Sequence, residues 1–452
     1  MTAGASSQST IRRAVGYGLL ARVWTLGSTP LTLYLIAARL SPEAQGYYYT
    51  MAGLLALQIF FELGLATVLV QFFSHEFVAL RWAAKGRITG DRQAHARLRS
   101  LLAKAAAWFG SASVLLAILL IALGLHYFRV AGGGMSGWQL PWCLAVIGVA
   151  ANLLLAPWIA LESGSGHIGE MSRCEAQAAF LGTLGLWACL LGDAGLYGLG
   201  VVLLVKFLVY ARHFVRTRPV LLRMLRRLPG RVRGGTSWWR EVWPLQWRTS
   251  VSWMAGYVVF HLFTPVLFYY QGAAEAGRMG ITIAGANALT AIALTFIAAN
   301  TPHLGRLVAQ GEWQSLDRQF FGVLRQGAAL AFAGAFAGTL VVFLLQGRFA
   351  VGERFLPYPQ VALLLLGASV QVLMSHFAIY LRAFKREPLV RLAVVHALLQ
   401  GGATWWLARS HGAGGIALSV LLINLTMLPL TLLVWRRCRA RWQRQAPPAL
   451  EA

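Results

Sequence analysis

Acid is scarce in this sequence. Against 40 lysines and arginines stand only 15 aspartates and glutamates. Aspartate occurs three times, at Asp91, Asp193 and Asp317, far apart in the chain. No D-x-D-like pair or carboxylate cluster exists to support a metal-dependent glycosyltransferase. No G-x-x-x-x-G-K-[ST] is present, which excludes an ATP engine of the P-loop type. The ten histidines form no H-E-x-x-H or similar ligand set. The four cysteines, Cys143, Cys174, Cys189 and Cys438, are scattered without metal spacing and read as small apolar residues or incidental thiols. The expectation is a protein without catalytic residues, resident metal or cofactor, and not an enzyme.

Charge of either sign is also thin. Charged residues make up 12% of the chain and apolar residues 58%, whereas a soluble domain carries about 25% charged residues. Apolar runs long enough to cross a bilayer as helix, about 20 residues each, recur at 14–37, 48–73, 101–125, 141–162, 173–193, 195–215, 249–270, 278–300, 323–346, 357–381, 389–408 and 412–435. The fold expected is all-α, a polytopic membrane protein of twelve transmembrane helices. The first apolar segment is too long for a signal-peptide core and leads straight into further spans, so it reads as a retained helix.

The net charge of +25 is distributed by topology. With twelve spans both termini fall on one side, and that side collects 32 of the 40 basic residues. The other side has six, Arg39, Arg129, Arg278, Arg348, Arg354 and Arg409, and two, Arg22 and Lys206, lie within spans. The positive-inside rule then makes both termini cytoplasmic. The basic excess is a topological signal, and no nucleic-acid partner is expected.

The chain says nearly the same thing twice. Glu43–Leu57, EAQGYYYTMAGLLAL, laid on Glu275–Leu289, EAGRMGITIAGANAL, matches at seven of fifteen positions with an offset of 232. Thr29-Pro30 with Tyr34 in span 1 echoes Thr264-Pro265 with Tyr269 in span 7. Six spans return the chain to its starting side, so this is a parallel repeat about an axis along the membrane normal. The expected organisation is a six-helix bundle over 1–215, a basic Trp-rich interfacial linker over 216–248, a second bundle over 249–435 and a basic cytoplasmic tail over 436–452. In the linker, Trp239, Trp243 and Trp247 share one face of a helix, suited to lipid headgroups, although Pro244 interrupts it. The segments 74–104 and 301–325 read as carrying short interfacial helices.

Ionisable and polar groups inside spans are costly and therefore informative. Arg22 lies eight residues into span 1, about 12 Å deep at 1.5 Å per residue. It either snorkels to the interface or forms the cationic wall of a water-filled cavity. Thr50, Gln58 and Glu62 share one helical face of span 2, and Glu62 serves ion coupling or pairs with Arg22. At the repeat offset Thr282 and Thr290 match Thr50 and Gln58, Leu294 replaces Glu62, and Asn287 adds a further polar group. Spans 2 and 8 thus carry comparable stripes, expected of helices that line one central cavity or that hydrogen-bond between helices. His261 is central in span 7 with Tyr257 one turn before it, and Arg248 stands at the cytoplasmic mouth of that span. Lys206 snorkels, and His376 and Gln371 in span 10 read as packing residues. The candidate substrate-binding residues are Arg22, Gln58, His261, Asn287 and Arg248, with Glu62 the ion-coupling candidate.

The segment LSPEAQGYYYTMAGLLALQIFFELGLATVLVQF resembles the start of the bacterial polysaccharide flippases of the multidrug/oligosaccharidyl-lipid/polysaccharide exporter superfamily. Members end span 1 in an L-[GS]-P-E/D-x-x-G-x-Y pattern, here Leu40-Ser41-Pro42-Glu43, Gly46 and Tyr48. They carry an acidic residue before L-G in span 2, here Glu62-Leu63-Gly64. RLRSLLAKAAAWF, entering span 3, and the twelve-span layout are also similar. The resemblance implies a V-shaped pair of six-helix bundles around a central cavity, alternating between inward- and outward-open states. It implies a substrate, an undecaprenyl-pyrophosphate-linked oligosaccharide, moved across the bacterial inner membrane for exopolysaccharide or lipopolysaccharide synthesis. Membrane lipids and polysaccharide glycosyltransferases or a polymerase would be its partners. An anionic pyrophosphate needs cations or donors in the cavity, and Arg22 has the right sign.

Three other readings compete. A multidrug exporter of the same superfamily requires cavity carboxylates for ions and cationic drugs, and Glu62 is the one well placed. A facilitator-type solute transporter also has two six-span halves, but its G-x-x-x-D-R-x-G-R-R/K loop is poorly matched by GRITGDRQAHAR. A non-transporting scaffold for polysaccharide synthases would need no polar stripes.

Overall fold

In the computed structural model, residues 2–83, 87–218, 238–384 and 386–445 are described. Within them, the side chains of 2–15, 239, 240, 244, 245, 248, 249, 252, 444 and 445 are not. The chain is almost wholly helical. The helices are α1 (Thr2–Arg39), α2 (Pro42–Leu55), α3 (Ile59–Glu62), α4 (Leu65–Glu76), α5 (Arg92–Ala131), α6 (Gln139–Gly164), α7 (Ile168–Leu191) and α8 (Gly198–Thr217). They continue as α9 (Trp243–Phe260), α10 (Phe263–Gln271), α11 (Ala273–Gln310), α12 (Trp313–Leu345), α13 (Tyr358–Arg382) and α14 (Val390–Gln445). A two-stranded antiparallel hairpin, β1 (Leu80–Ala83) and β2 (Arg87–Gly90), precedes α5, with Leu80 opposite Gly90.

Among the described residues ten helices are long and apolar enough to cross a membrane, and the bent pair Pro42–Glu62 and Leu65–Glu76 makes an eleventh. Gly412, at φ 59° and ψ −145°, divides α14 into two crossings, which completes the expected twelve. These helices keep apolar side chains on their outsides: Val114, Ile118 and Val130 of α5 and Phe336 of α12 are all exposed. In water such faces would drive aggregation; in a bilayer they face lipid tails. The protein is a multi-pass membrane protein.

Local chemistry sets the ends of the helices. Asp91 caps α5, its carboxylate accepting from the Ala94 amide at 2.8 Å. Gly311, left-handed at φ 72°, ends α11. Because α11 runs on to Gln310 and α12 starts at Trp313, the segment 301–325 is helix extension and not a separate interfacial helix. The segment 74–104 likewise holds the β-hairpin and the first turns of α5. Trp82 on β1 stacks on Phe77 at 5.5 Å, and a strand lets an aromatic and a buried Leu80 alternate with exposed Arg81. Most of the expected linker, 219–237, lies outside the described residues. Beyond it, Trp238–Val242 forms a π-helical turn and α9 begins at Trp243. Pro244 therefore sits in a first turn, where no amide is needed, and Trp239 does not share a regular helical register with Trp243 and Trp247.

The chain divides into two compact units, Met1–Leu40 with Leu54–Met254, and Ser41–Gly53 with Ala255–Ala452. In the first unit, Trp142 fills the core where α5 offers Gly124; a Cβ there would fall 2.3 Å from the indole nitrogen. That nitrogen donates to the Leu120 carbonyl at 3.1 Å. In the second unit, Phe320, Phe377, Tyr380 and Trp435 form an aromatic cluster. Asp317 closes it, accepting from the Tyr380 hydroxyl at 3.0 Å and pairing with Arg439.

The second unit also contains the meeting of the repeated stretches. Gln45 donates from Nε2 to the carbonyl of Gly277, its own counterpart 232 residues on, at 2.8 Å. It also donates to the Arg354 carbonyl at 3.1 Å. Gly46 lies so close to Ala273 that a Cβ would sit 1.9 Å from the Ala273 oxygen. The glycines of the repeat let two helix N-termini cross with backbones in contact.

Candidate functional site

In the first unit the chemistry gathers where the second crossing breaks. A 3₁₀ turn over Ala56–Gln58 tightens the helix, and Leu63 and Gly64 then adopt left-handed conformations at φ 52° and φ 64°. The helix restarts at Leu65, bent by 42°. Two consecutive left-handed residues strand carbonyls that no helical amide can reach. Side chains reach them instead. Trp108 Nε1 donates to the Phe61 carbonyl at 3.3 Å, and the Ser250 hydroxyl donates to the Leu63 carbonyl at 2.9 Å. Glu62, half-buried, is presented at this break.

Lys206 does more than snorkel. Its ammonium lies 3.1 Å from Glu175 Oε1, and the Tyr210 hydroxyl donates to Glu175 Oε2 at 2.8 Å. Lys206 and Tyr210, four residues apart on α8, address α7 together. Lys206 is also the cation whose charge acts on Glu62. The cluster is thus one carboxylate, one ammonium and one phenol. Glu175 and Tyr210 are missing from the sequence expectations, although Glu175, as an acid inside span 5, was itself a signal.

Arg22 makes no ion pair or side-chain hydrogen bond among the described residues, and it does not pair with Glu62. It is exposed on α1. Two residues on, Trp24 turns inward to pack on Phe180 at 4.5 Å and Trp187 at 6.0 Å. At 100° per residue, Arg22 faces away from that α7 contact. Gln58, half-buried, ends the 3₁₀ turn. The stripe expected from Thr50 through Gln58 to Glu62 is interrupted. Thr50 is fully buried in the second unit, whereas Gln58 and Glu62 belong to the first. The 3₁₀ turn, with 3.0 residues per turn, shifts the helical phase on which that stripe depended.

The second unit carries a different site. A cavity of about 60 Å³ opens among its helices, several times the roughly 10–15 Å³ a water needs. Its polar lining is Asn287 and Thr290 from α11, Gln371 from α13, and His396, Gln400 and Asn424 from α14. Asn424 donates to the Gly367 carbonyl at 3.0 Å and Gln400 to the Ser419 hydroxyl at 3.2 Å. Gln371 Oε1, His396 Nε2 and Asn424 Oδ1 have no protein partner among the described residues. The lining includes no carboxylate, so this cavity offers hydrogen bonds without fixed charge. His396, Gln400 and Thr404 at i, i+4, i+8 in span 11 were a readable polar stripe that sequence reasoning passed over.

His261 lies outside this lining. It marks a break between α9 and α10, its ring 5.9 Å from that of Tyr257. Pro265 explains the break: it has no amide for the His261 carbonyl, and its ring clashes with it. His376 is a packing residue, its ring lying over Gly327 and its Nδ1 2.8 Å from the Val372 carbonyl. The Arg248 side chain is outside the described residues. Among the described side chains, Asn287 is therefore the expected binding residue that lines the cavity, and Glu62 stands at the break of the second crossing.

No protein-family model matches the chain, and no curated protein matches it. Solved structures do. An inward-facing multidrug resistance MATE family transporter of the MOP superfamily aligns over 94% of this chain and 96% of its own, at 12% identity and a TM-score of 0.63. The lipid II flippase MurJ, in an inward closed conformation, aligns over 95% and 90% at 11% identity and a TM-score of 0.66. A Pyrococcus furiosus MOP superfamily transporter, described by the reverse polarity of its binding pocket, covers 97% and 96% at 12% identity and a TM-score of 0.53. The chain has the fold of the MOP superfamily transporters.

Proposed function

We infer that the protein is a transporter that flips a polyprenyl-pyrophosphate-linked oligosaccharide across the bacterial inner membrane for polysaccharide biosynthesis, with both termini cytoplasmic. The observation that carries this reading is Arg22: an exposed guanidinium on a membrane-crossing helix, with no counter-ion among the described residues. An unpaired cation at bilayer depth is costly, and its retention is accounted for if an anion visits it. A planar guanidinium holds pyrophosphate oxygens in pairs. The fold supports the reading, since one protein that shares it is a lipid II flippase. Alternating access supplies the mechanism: Arg22 takes the pyrophosphate from the cytoplasmic leaflet, and a change of state delivers it to the periplasmic one. Glycosyltransferases and a polymerase would stand before and after this step.

A second reading is an ion-coupled exporter of the same fold, favoured by Glu62 and Glu175 around Lys206. Arg22→Ala should abolish surface polysaccharide while the protein remains folded in the membrane, and Arg22→Lys should restore it in part. Glu62→Gln should slow export with Arg22 intact. Normal export by well-expressed Arg22→Ala, with loss in Glu62→Gln, would favour the exporter.

A further inference from the structure

In the first unit, α6, α7 and α8 bring together four side chains that are 3 to 51 residues apart in sequence. Glu162, near the end of α6, is fully buried at 0% exposure. His167 stands immediately before α7, with Nδ1 3.7 Å from Glu162 Oε2. Glu170 is in the first turn of α7, and His213 in the last turns of α8, with Nε2 3.5 Å from Glu170 Oε2. Ligand atoms of Glu162, Glu170 and His213 all lie within 4.8 Å of one another. Arg218, the first residue after α8, pairs with Glu162 through Nε and Nη2 of its guanidinium and stacks over the Trp82 ring at 4.1 Å.

We propose that Glu162, Glu170, His167 and His213 form a divalent transition-metal site of the zinc class, in which the metal and Arg218 compete as counter-ions for Glu162. The donor set is two imidazole nitrogens and two carboxylate oxygens, which suits Zn²⁺ and disfavours Mg²⁺ and Ca²⁺, whose ligands are oxygens. Tetrahedral zinc bonds of about 2.0–2.1 Å hold neighbouring donors about 3.4 Å apart. The 3.5 Å and 3.7 Å nitrogen–oxygen separations already stand near that value; Glu162, Glu170 and His213 form the gathered core, and His167, held through Glu162, is the fourth donor that must draw in. Two carboxylates neutralise the metal, which leaves Arg218 without a net charge to balance. Metal binding therefore weakens the hold of Arg218 on Glu162 and Trp82.

The test uses the full-length protein, free of any histidine tag, purified in detergent and titrated with Zn²⁺ against a chromophoric chelator. About one tightly held zinc per chain is expected, and Co²⁺ in its place should give the intense visible absorption of tetrahedral coordination. His213→Ala and Glu170→Gln should each weaken binding by about tenfold or more. Arg218→Gln should tighten it, because the competing cation is gone; a cluster held only by ion pairs predicts no gain. Thermal melts without metal show whether each variant is folded. Zinc binding that is unchanged in a folded His167→Ala/His213→Ala variant, or a weak octahedral cobalt spectrum, overturns the proposal.

Discussion

The two halves begin their repeats alike and break their helices differently. In the first half the second crossing is interrupted at Leu63-Gly64, while its counterpart α11 runs unbroken through Thr295 and Phe296 at the same offset. In the second half the seventh crossing is interrupted at His261, while α1 runs unbroken through Pro30. The prolines make the sharper contrast, since Thr-Pro occurs in both. Around Pro30, hydroxyls return to their own helix: Thr29 donates to the Thr25 carbonyl at 2.6 Å and Thr32 to the Ser28 carbonyl at 2.8 Å. Neither bond reaches the Leu26 carbonyl that Pro30 leaves without an amide, but both keep the surrounding hydroxyls on their own helix, which stays continuous. Thr264 instead donates to the Tyr49 carbonyl at 3.4 Å, away from its own helix. A repeat thus fixes where helices start, while single side chains decide which one breaks. The chemistry follows the breaks: a charged cluster beside Glu62 in one unit, and a neutral cavity lined by α9, Phe263, α11, α13 and α14 in the other.

The largest expected effect comes from a pair of repeat-related glycines. A Cβ on Gly53 would lie 2.9 Å from Thr264 Oγ1 and 3.1 Å from the His261 carbonyl oxygen, whereas one on Gly285 meets nothing within 4 Å. Gly53→Ala should cost about 1–3 kcal/mol by overpacking against the break. Gly285→Ala should gain about 0.5–1 kcal/mol from helix entropy. Thermal unfolding of the two variants in one detergent decides it. Shifts of the same sign would mean that the halves are more alike than the structure makes them.

The prolines come next. Pro265→Ala restores an amide that the His261 carbonyl accepts, worth about 1 kcal/mol. Amide exchange over 257–267 should slow by about fivefold, the factor that energy corresponds to, and transport should fall as the break closes. Pro30→Ala should change neither. Equal responses would remove proline as the cause of the difference.

Much of this was legible beforehand. The twelve crossings follow from apolar runs because a bilayer accepts little else, and Glu62 stood out because an acid in a span is costly. The break beside it did not, because leucine gives no sign that it will adopt φ 52°. Arg22 and Glu62 looked like partners on sign alone. Lys206 of α8 pairs instead with Glu175 of α7, and a long-range pairing of that kind leaves no mark in local spacing. The β-hairpin was hidden because Leu80–Gly90 is short and basic, and was read as part of an amphipathic helix. The neutral cavity was partly legible. Asn287 was singled out on α11, but His396 and Asn424 come from the last two crossings, more than a hundred residues on, and acquire meaning only when packed against it. The Glu162 cluster was missed for the same reason: histidine spacing was sought within one helix, and three helix ends supply the donors.

The smallest expected effect isolates the backbone of the first break. Leu63 pays about 1–2 kcal/mol for its left-handed conformation, and its carbonyl is left for a side chain to satisfy. Ser250, buried, has one hydroxyl proton, shared between the Leu63 carbonyl at 2.9 Å and the Gln246 carbonyl at 2.8 Å. Gln246 lies four residues back on the same helix, so its carbonyl keeps an amide without the serine. The Leu63 carbonyl has no such reserve. Ser250→Ala should therefore cost about 1 kcal/mol, the price of an unsatisfied buried acceptor. The matching change in the second half is Thr295→Ala, which removes only a back-bond to the Ala291 carbonyl at 2.9 Å. In an unbroken exposed helix that change should gain a few tenths of a kcal/mol, since alanine is the better helix former. Denaturant unfolding in mixed micelles resolves differences of this size when both variants are measured beside the parent. A Ser250→Ala variant as stable as Thr295→Ala would mean that water, not the serine, satisfies the broken helix, and that the first-half break is open to solvent.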